Sequence, residues 1–126
     1  ERELAACGVG TAPYDPHLEN NFSKFADPAK IKTYLGCGLP VISTDVPPIA
    51  KELAKSGAGR VAEFTAESFA DQIVSLWQSP EVYSTARTQA RRMGESYSWP
   101  RLFSELLAAE DIRCLPQPTL ANGKLA

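Results

Sequence analysis

The segment that most restricts what this chain can fold into is residues 27–45, DPAKIKTYLGCGLPVISTD. Asp27 suits a helix N-cap, and Pro28 suits the first helical position, where a missing N–H costs nothing. Ile31, Tyr34 and Leu35 then recur at helical spacing and predict one apolar face. Gly36 and Gly38 supply a stop, and Pro40 forbids continuation. Val41, Ile42, Ser43 and Thr44 follow as a short strand, rich in β-branched residues and expected to be buried on both faces. Helix, tight turn and buried strand make half of a parallel βαβ unit. Such units bring a helix N-terminus to the sheet edge where ligands bind.

The flanking sequence repeats the alternation. Residues 1–7 read as a helix end stopped by Gly8, and Val9–Pro13 as a strand. Residues 14–26 form a long polar loop, and loops of this length without structure of their own are often functional. After Pro47 and Pro48 a helix is predicted with Ile49, Ala50, Leu53 and Ala54 on its apolar face, then a strand over Arg60–Phe64. Thr65 caps a helix carrying Phe69, Ile73, Val74 and Trp77. Ser79 and Pro80 open the next, with Val82, Ala86, Ala90, Met93 and Tyr97 in a stripe. Ser98 caps a last helix with Trp99, Leu102, Phe103, Leu106 and Leu107, and these late stripes are expected to be core. The order αβαβαβ followed by helices predicts an α/β fold: a Rossmann-like parallel sheet with flanking helices, about half of a doubly wound domain. One lobe over 1–112 and a flexible, proline-rich tail over 113–126 follow.

Composition excludes several function classes. With 126 residues the chain has room for one core, and a net charge of −2 gives no general attraction to nucleic acid or anionic membrane. Arg87, Arg91 and Arg92 read as a solvated helix face. No apolar run approaches the ~20 residues of a membrane-spanning helix. The three cysteines are widely spaced, matching neither a disulfide framework nor a zinc site, so a reducing, cytoplasmic setting is expected. The opening ERELAACGVG reads as the tail of a helix, and the chain as a fragment of something larger. Spacing supports neither metal ligation, a Ser-His-Asp triad nor a Gly-x-x-x-x-Gly-Lys phosphate loop.

An ordered set of short motifs narrows the reading. GVGTAPY, residues 8–14, is a strand with a Pro-Tyr exit. Pro28, Lys30, Thr33, Tyr34 and Gly38 follow the pattern Pro-x-Lys-x-x-Glu-Tyr-x-x-x-Gly, with Thr in the Glu position, and Pro40, Val41 and Ile42 continue it. A double proline before a helix, GAGRV and a closing Tyr97-Ser98-Trp99 come later in the same order. Over roughly residues 1–110 this resembles the C-terminal, donor-binding domain of GT-B glycosyltransferases, in particular the family 4 (glycosyl transferases group 1) retaining group.

The resemblance implies a truncated GT-B C-terminal domain. In an intact parent it would help transfer a hexose from an NDP-sugar to an acceptor held by an N-terminal domain. It implies the nucleotide-sugar donor and that N-terminal domain as partners, with no metal and no cofactor beyond the donor substrate. Any peripheral membrane association would run through the missing domain. No catalytic residue is assigned to this chain, which is expected to be inactive alone.

Donor-binding candidates are Tyr14, Asn20, Asn21, Phe22, Ser23, Lys30 and Thr33. Lys30 and the free N–H groups of its helix would neutralise a diphosphate, or Lys30 is simply solvated. The loop residues would supply donors to hydroxyls or phosphate, or are ordinary loop polarity. Tyr14 would stack on a base or sugar, or pack at the strand exit. His17 reads as a surface loop residue, and Asp45 and Glu52 take capping and solvent roles.

Two positions depart from the family. Its paired acidic residues, about eight apart, are replaced here by Phe25 and Thr33. Thr33 can accept one hydrogen bond but lacks a carboxylate's charge and bidentate reach. Glu19, in the same loop, is the candidate substitute. The competing reading is a non-catalytic α/β binding or interaction module that kept the fold and lost the donor site. A flavodoxin-like module is disfavoured, because no glycine-rich phosphate loop follows the first strand.

Overall fold

The computed structural model describes residues 2–108. Its elements are α1 (Arg2–Ala5), β1 (Gly10–Ala12), a 3₁₀ turn (Phe22–Lys24), α2 (Ala29–Gly36), β2 (Val41–Ser43), α3 (Ile49–Ser56), β3 (Gly59–Val61), α4 (Ala66–Trp77), α5 (Pro80–Ser96) and α6 (Trp99–Ala108). The three strands form a parallel sheet in the order β1-β2-β3, with Gly10 opposite Val41 and Val41 opposite Gly59. Sequential order is what either half of a doubly wound sheet displays.

Alternation along β2 separates the layers. Val41 joins a cluster with Ile31 and Leu35 of α2 and with Ile49 and Leu53 of α3. Ile42, the next residue, packs on the opposite face with Leu76 of α4 and Ala86 of α5. Helices α2 and α3 on one face and α4 and α5 on the other bury β2 completely, as its composition predicts.

Helix α5 touches both layers, Ala86 in one cluster and Ala90 in the other. It runs beneath the end where the strands begin: Tyr83 Oη donates to the Gly8 carbonyl at 2.7 Å, just ahead of β1. Gly94 lies against the backbone of Leu35 and Gly36, at the finish of α2. The end where the strands finish is therefore the open one.

Local signals explain most boundaries. Gly38 has φ +70°; its N–H donates to the Leu35 carbonyl at 2.8 Å, and that of Leu39 donates to Tyr34 at 3.0 Å. This 5→2 and 6→1 pair is a Schellman stop. Thr65 and Ser79 each cap a helix through the side chain, accepting from the N–H groups of Ser68 and Val82.

Asp27, in contrast, does not cap α2. The cap residue is Pro28, whose carbonyl receives the Ile31 N–H, and it offers no side-chain acceptor. Asp27 sits one residue too far out and pairs with Lys32 at 2.5 Å. Likewise the 14–26 loop is not without structure, since Asn21 caps a short 3₁₀ turn.

Several predicted core positions are corrected. Ala54 is exposed, the contacts of α3 being made by Ile49, Ala50 and Leu53. On α4 the buried residue is Leu76; Val74 and Trp77 are more than half exposed. The face that meets Ile42 runs through Phe69, Ile73 and Leu76, which leaves Trp77 at the flank against Gly8. Val82 lies at the exposed start of the α5 stripe. No residue of α6 is buried: Trp99, Leu102, Phe103, Leu106 and Leu107 all face solvent, with Trp99 stacked on Phe103 at 5.8 Å. Among the described residues no layer covers that helix. The predicted tail, 113–126, lies outside the described residues.

Candidate functional site

At the open end of the sheet, one hydroxyl ties two strand exits together. Thr44, just past β2 and 2% exposed, donates to the Tyr14 carbonyl at 2.7 Å and accepts from the Tyr14 N–H at 3.1 Å. Both backbone groups of Tyr14 are thereby satisfied where the ladder has ended. The Tyr14 ring packs against the larger core cluster, and the Lys30 ammonium lies 5.1 Å from its centroid. Burial, and secondarily Tyr34, raises the Tyr14 phenol above its ordinary value.

Lys30 is the second residue of α2. No side chain caps this helix, and the Ile31 and Lys32 N–H groups turn to the Pro28 carbonyl, so the N–H groups of Ala29 and Lys30 are the ones left for solvent or an anion. The ammonium and the positive end of the helix dipole reinforce one another there.

The other predicted residues are dispersed. Asn21 is consumed by its own loop: Nδ2 donates to the Asp15 carbonyl at 2.6 Å, and Oδ1 accepts from Ser23 N–H at 3.0 Å. Asn20 adopts φ +55° and is exposed, and Phe22 projects outward at 82% exposure. Thr33 donates its hydroxyl to the Ala29 carbonyl at 3.0 Å. It lines a separate cavity of about 540 Å³ with Tyr97 and Trp99, away from Tyr14. Tyr14 and Lys30 are thus the pair that the fold brings together.

A larger cleft, about 660 Å³, opens beside the same sheet edge. Its walls are Pro16 and His17 after β1, Thr44 and Asp45 after β2, Glu63 and Phe64 after β3, and Ser68 and Gln72 on α4. Ser68 Oγ accepts from the Glu63 N–H at 3.0 Å, fixing the turn from β3 into α4. Sequence reasoning confined Asp45, with Glu52, to capping and solvent roles and placed Glu63 and Phe64 inside a strand. The signal that could have found them is positional: each lies within three residues of a strand's last residue, on the side where parallel sheets bind ligands.

Among the described residues no group of three or more His, Cys, Asp or Glu is placed to hold a metal ion, and no helix is long and apolar enough to cross a membrane. Comparison with family models, curated proteins and solved structures gave no match.

Proposed function

We propose that this chain is a nucleotide-sugar donor lobe of GT-B type, contributing to hexosyl transfer in a parent protein that also supplies the acceptor-binding domain. The observation that carries the reading is the Lys30 ammonium 5.1 Å over the Tyr14 ring, beside the uncapped start of α2. A donor diphosphate needs positive charge and N–H donors, and this corner offers both without a metal. Lys30 pairs with a phosphate oxygen, the first-turn N–H groups share the remaining charge, and Tyr14 gives a flat surface to the base or sugar. Leaving-group charge that grows during transfer is thereby stabilised by groups already in position.

A second reading, a binding module without transferase activity, is favoured by one feature. Thr33 stands where the resembled family has a carboxylate, and its hydroxyl is turned back to Ala29. Calorimetric titration of the chain with UDP, GDP and ADP tests the donor reading. One nucleotide binds, and Lys30→Ala weakens it roughly tenfold, as expected for a charge-assisted contact. Absence of binding by all three, or an affinity untouched by Lys30→Ala, overturns it.

A further inference from the structure

Among the described residues, one buried side-chain polar atom has no hydrogen-bond partner: Nε of Arg60. A donor enclosed in this way carries its desolvation cost uncompensated, and the cost is greater on a charged group. Register with Ile42 puts Arg60 on the face of β3 that meets α4 and α5, where Leu76 and Ala86 lie. No carboxylate among the described residues pairs with the guanidinium there. An inward charge on an edge strand also deters edge pairing, but a lysine would serve that purpose without enclosing a rigid fork.

Arg60 lines a cavity of about 360 Å³ at the end of the sheet where the strands begin, opposite Tyr14 and Lys30. Small-molecule sites start near this volume. Leu76, Val82 and Ala86 give the cavity an apolar wall, with Val82 leaving 41% of its surface open. Nε and its neighbouring Nη form an edge of the guanidinium that matches the two oxygens of a carboxylate. Glu81 brings a negative charge to the same cavity. The Ser79 hydroxyl donates to this carboxylate and holds it below its ordinary value, hence ionised at neutral pH.

These groups select a ligand class. A simple anion meets Arg60 and is repelled by Glu81, a simple amine the reverse, and a purely apolar molecule leaves Nε unsatisfied. We propose that the Arg60–Glu81 cavity binds an aliphatic α-amino acid, its carboxylate on Arg60, its ammonium on Glu81 and its side chain against Leu76 and Val82. Because this cavity and the Tyr14–Lys30 corner occupy opposite ends of the sheet, the inference does not rest on the donor-lobe reading.

Backbone amide NMR of the full chain, titrated with L-leucine up to roughly 50 mM, tests it. The amides of Arg60, Leu76 and Val82 shift saturably, with millimolar affinity. Isocaproate and isoamylamine, which each lack one of leucine's two charges, bind about tenfold more weakly or worse. Arg60→Lys keeps the charge and loses the fork, and weakens leucine about tenfold. Arg60→Met abolishes binding while the melting temperature holds, since Nε has no protein partner to lose. Glu81→Gln, at an exposed residue, brings isocaproate level with leucine. Absence of saturable shifts at these amides, equal binding by either single-charge analogue, or an unchanged leucine affinity in Arg60→Met overturns the proposal.

Discussion

Two glycines should respond oppositely to the same substitution. Ala is favoured over Gly in helices by about 1 kcal/mol, mostly through chain entropy. Gly36 ends α2 with no atom within 4 Å of the position a Cβ would take. Gly36→Ala should therefore stabilise the fold, by up to ~1 kcal/mol. Gly94 lies inside α5, where a Cβ would stand 2.6 Å from the Leu35 carbonyl carbon and oxygen and 2.7 Å from Gly36 N. Ordinary contact begins at 3.4 Å, so the helices would have to part by roughly 0.8 Å. The obstacle is backbone, which cannot rotate away as a side chain can.

Parting α5 from α2 also loosens Ala90 against Ile31 and Leu35, in the larger core cluster. Overpacking of this kind costs ~1–3 kcal/mol, and more where backbone must move. Set against the propensity gain, a net loss of about 2 kcal/mol follows for Gly94→Ala. That corresponds to a melting temperature lower by roughly 8 °C in a domain of this size. Urea unfolding followed by circular dichroism, with thermal melts alongside, measures both variants. A Gly94→Ala protein as stable as the unmodified chain would refute the close crossing and, with it, the placement of α5 under the sheet.

Three further outcomes can be measured. Thr44→Val keeps the shape but strips Tyr14 N–H and C=O of their shared hydroxyl, and should cost ~1–3 kcal/mol in urea unfolding. Tyr97 is pushed up to about 12, by burial first and then by its 3.0 Å hydrogen bond to the Glu52 carboxylate. Its folded value lies above the ordinary 10.0, so its contribution to stability is complete below pH 10 and is lost as pH rises toward about 12. Spectrophotometric titration of the phenols should show this late component, and Glu52→Gln should bring it back toward the ordinary value. Phe25→Ser, at a side chain 89% exposed, should leave the midpoint of unfolding within ~0.5 kcal/mol of the unmodified chain.

The proposed anion site at α2 gains from what the sequence reading missed. An Asp27 cap would have occupied a first-turn N–H group and set a negative charge where the proposal places a phosphate. With Asp27 engaged by Lys32 instead, those N–H groups are unclaimed by any side-chain cap. Lys30 is left over Tyr14 rather than drawn into that pair. The division of labour between two lysines two residues apart follows from helix geometry: side chains at i and i+2 leave the helix in different directions.

Sequence alone determined the alternation of helices and strands, the parallel α/β class, the burial of β2 and the stops and caps at Gly38, Thr65 and Ser79. The stops and caps are hydrogen bonds or steric limits spanning six residues or fewer, so their causes lie within a short window of the chain, and the burial of β2 is signalled by its run of apolar and β-branched residues. Tertiary structure decided which apolar stripe found a partner. Leu76 and Trp77 are adjacent and both apolar, and only the position of Ile42 across the sheet sends one inward and leaves the other at the flank. The stripe of α6 states a demand for a partner, while burial depends on a surface that the described residues do not supply. The cleft was hidden for the same reason. Asp45, Glu63, Phe64 and His17 are scattered along the chain, and parallel strand order with successive crossovers brings their exits to one edge.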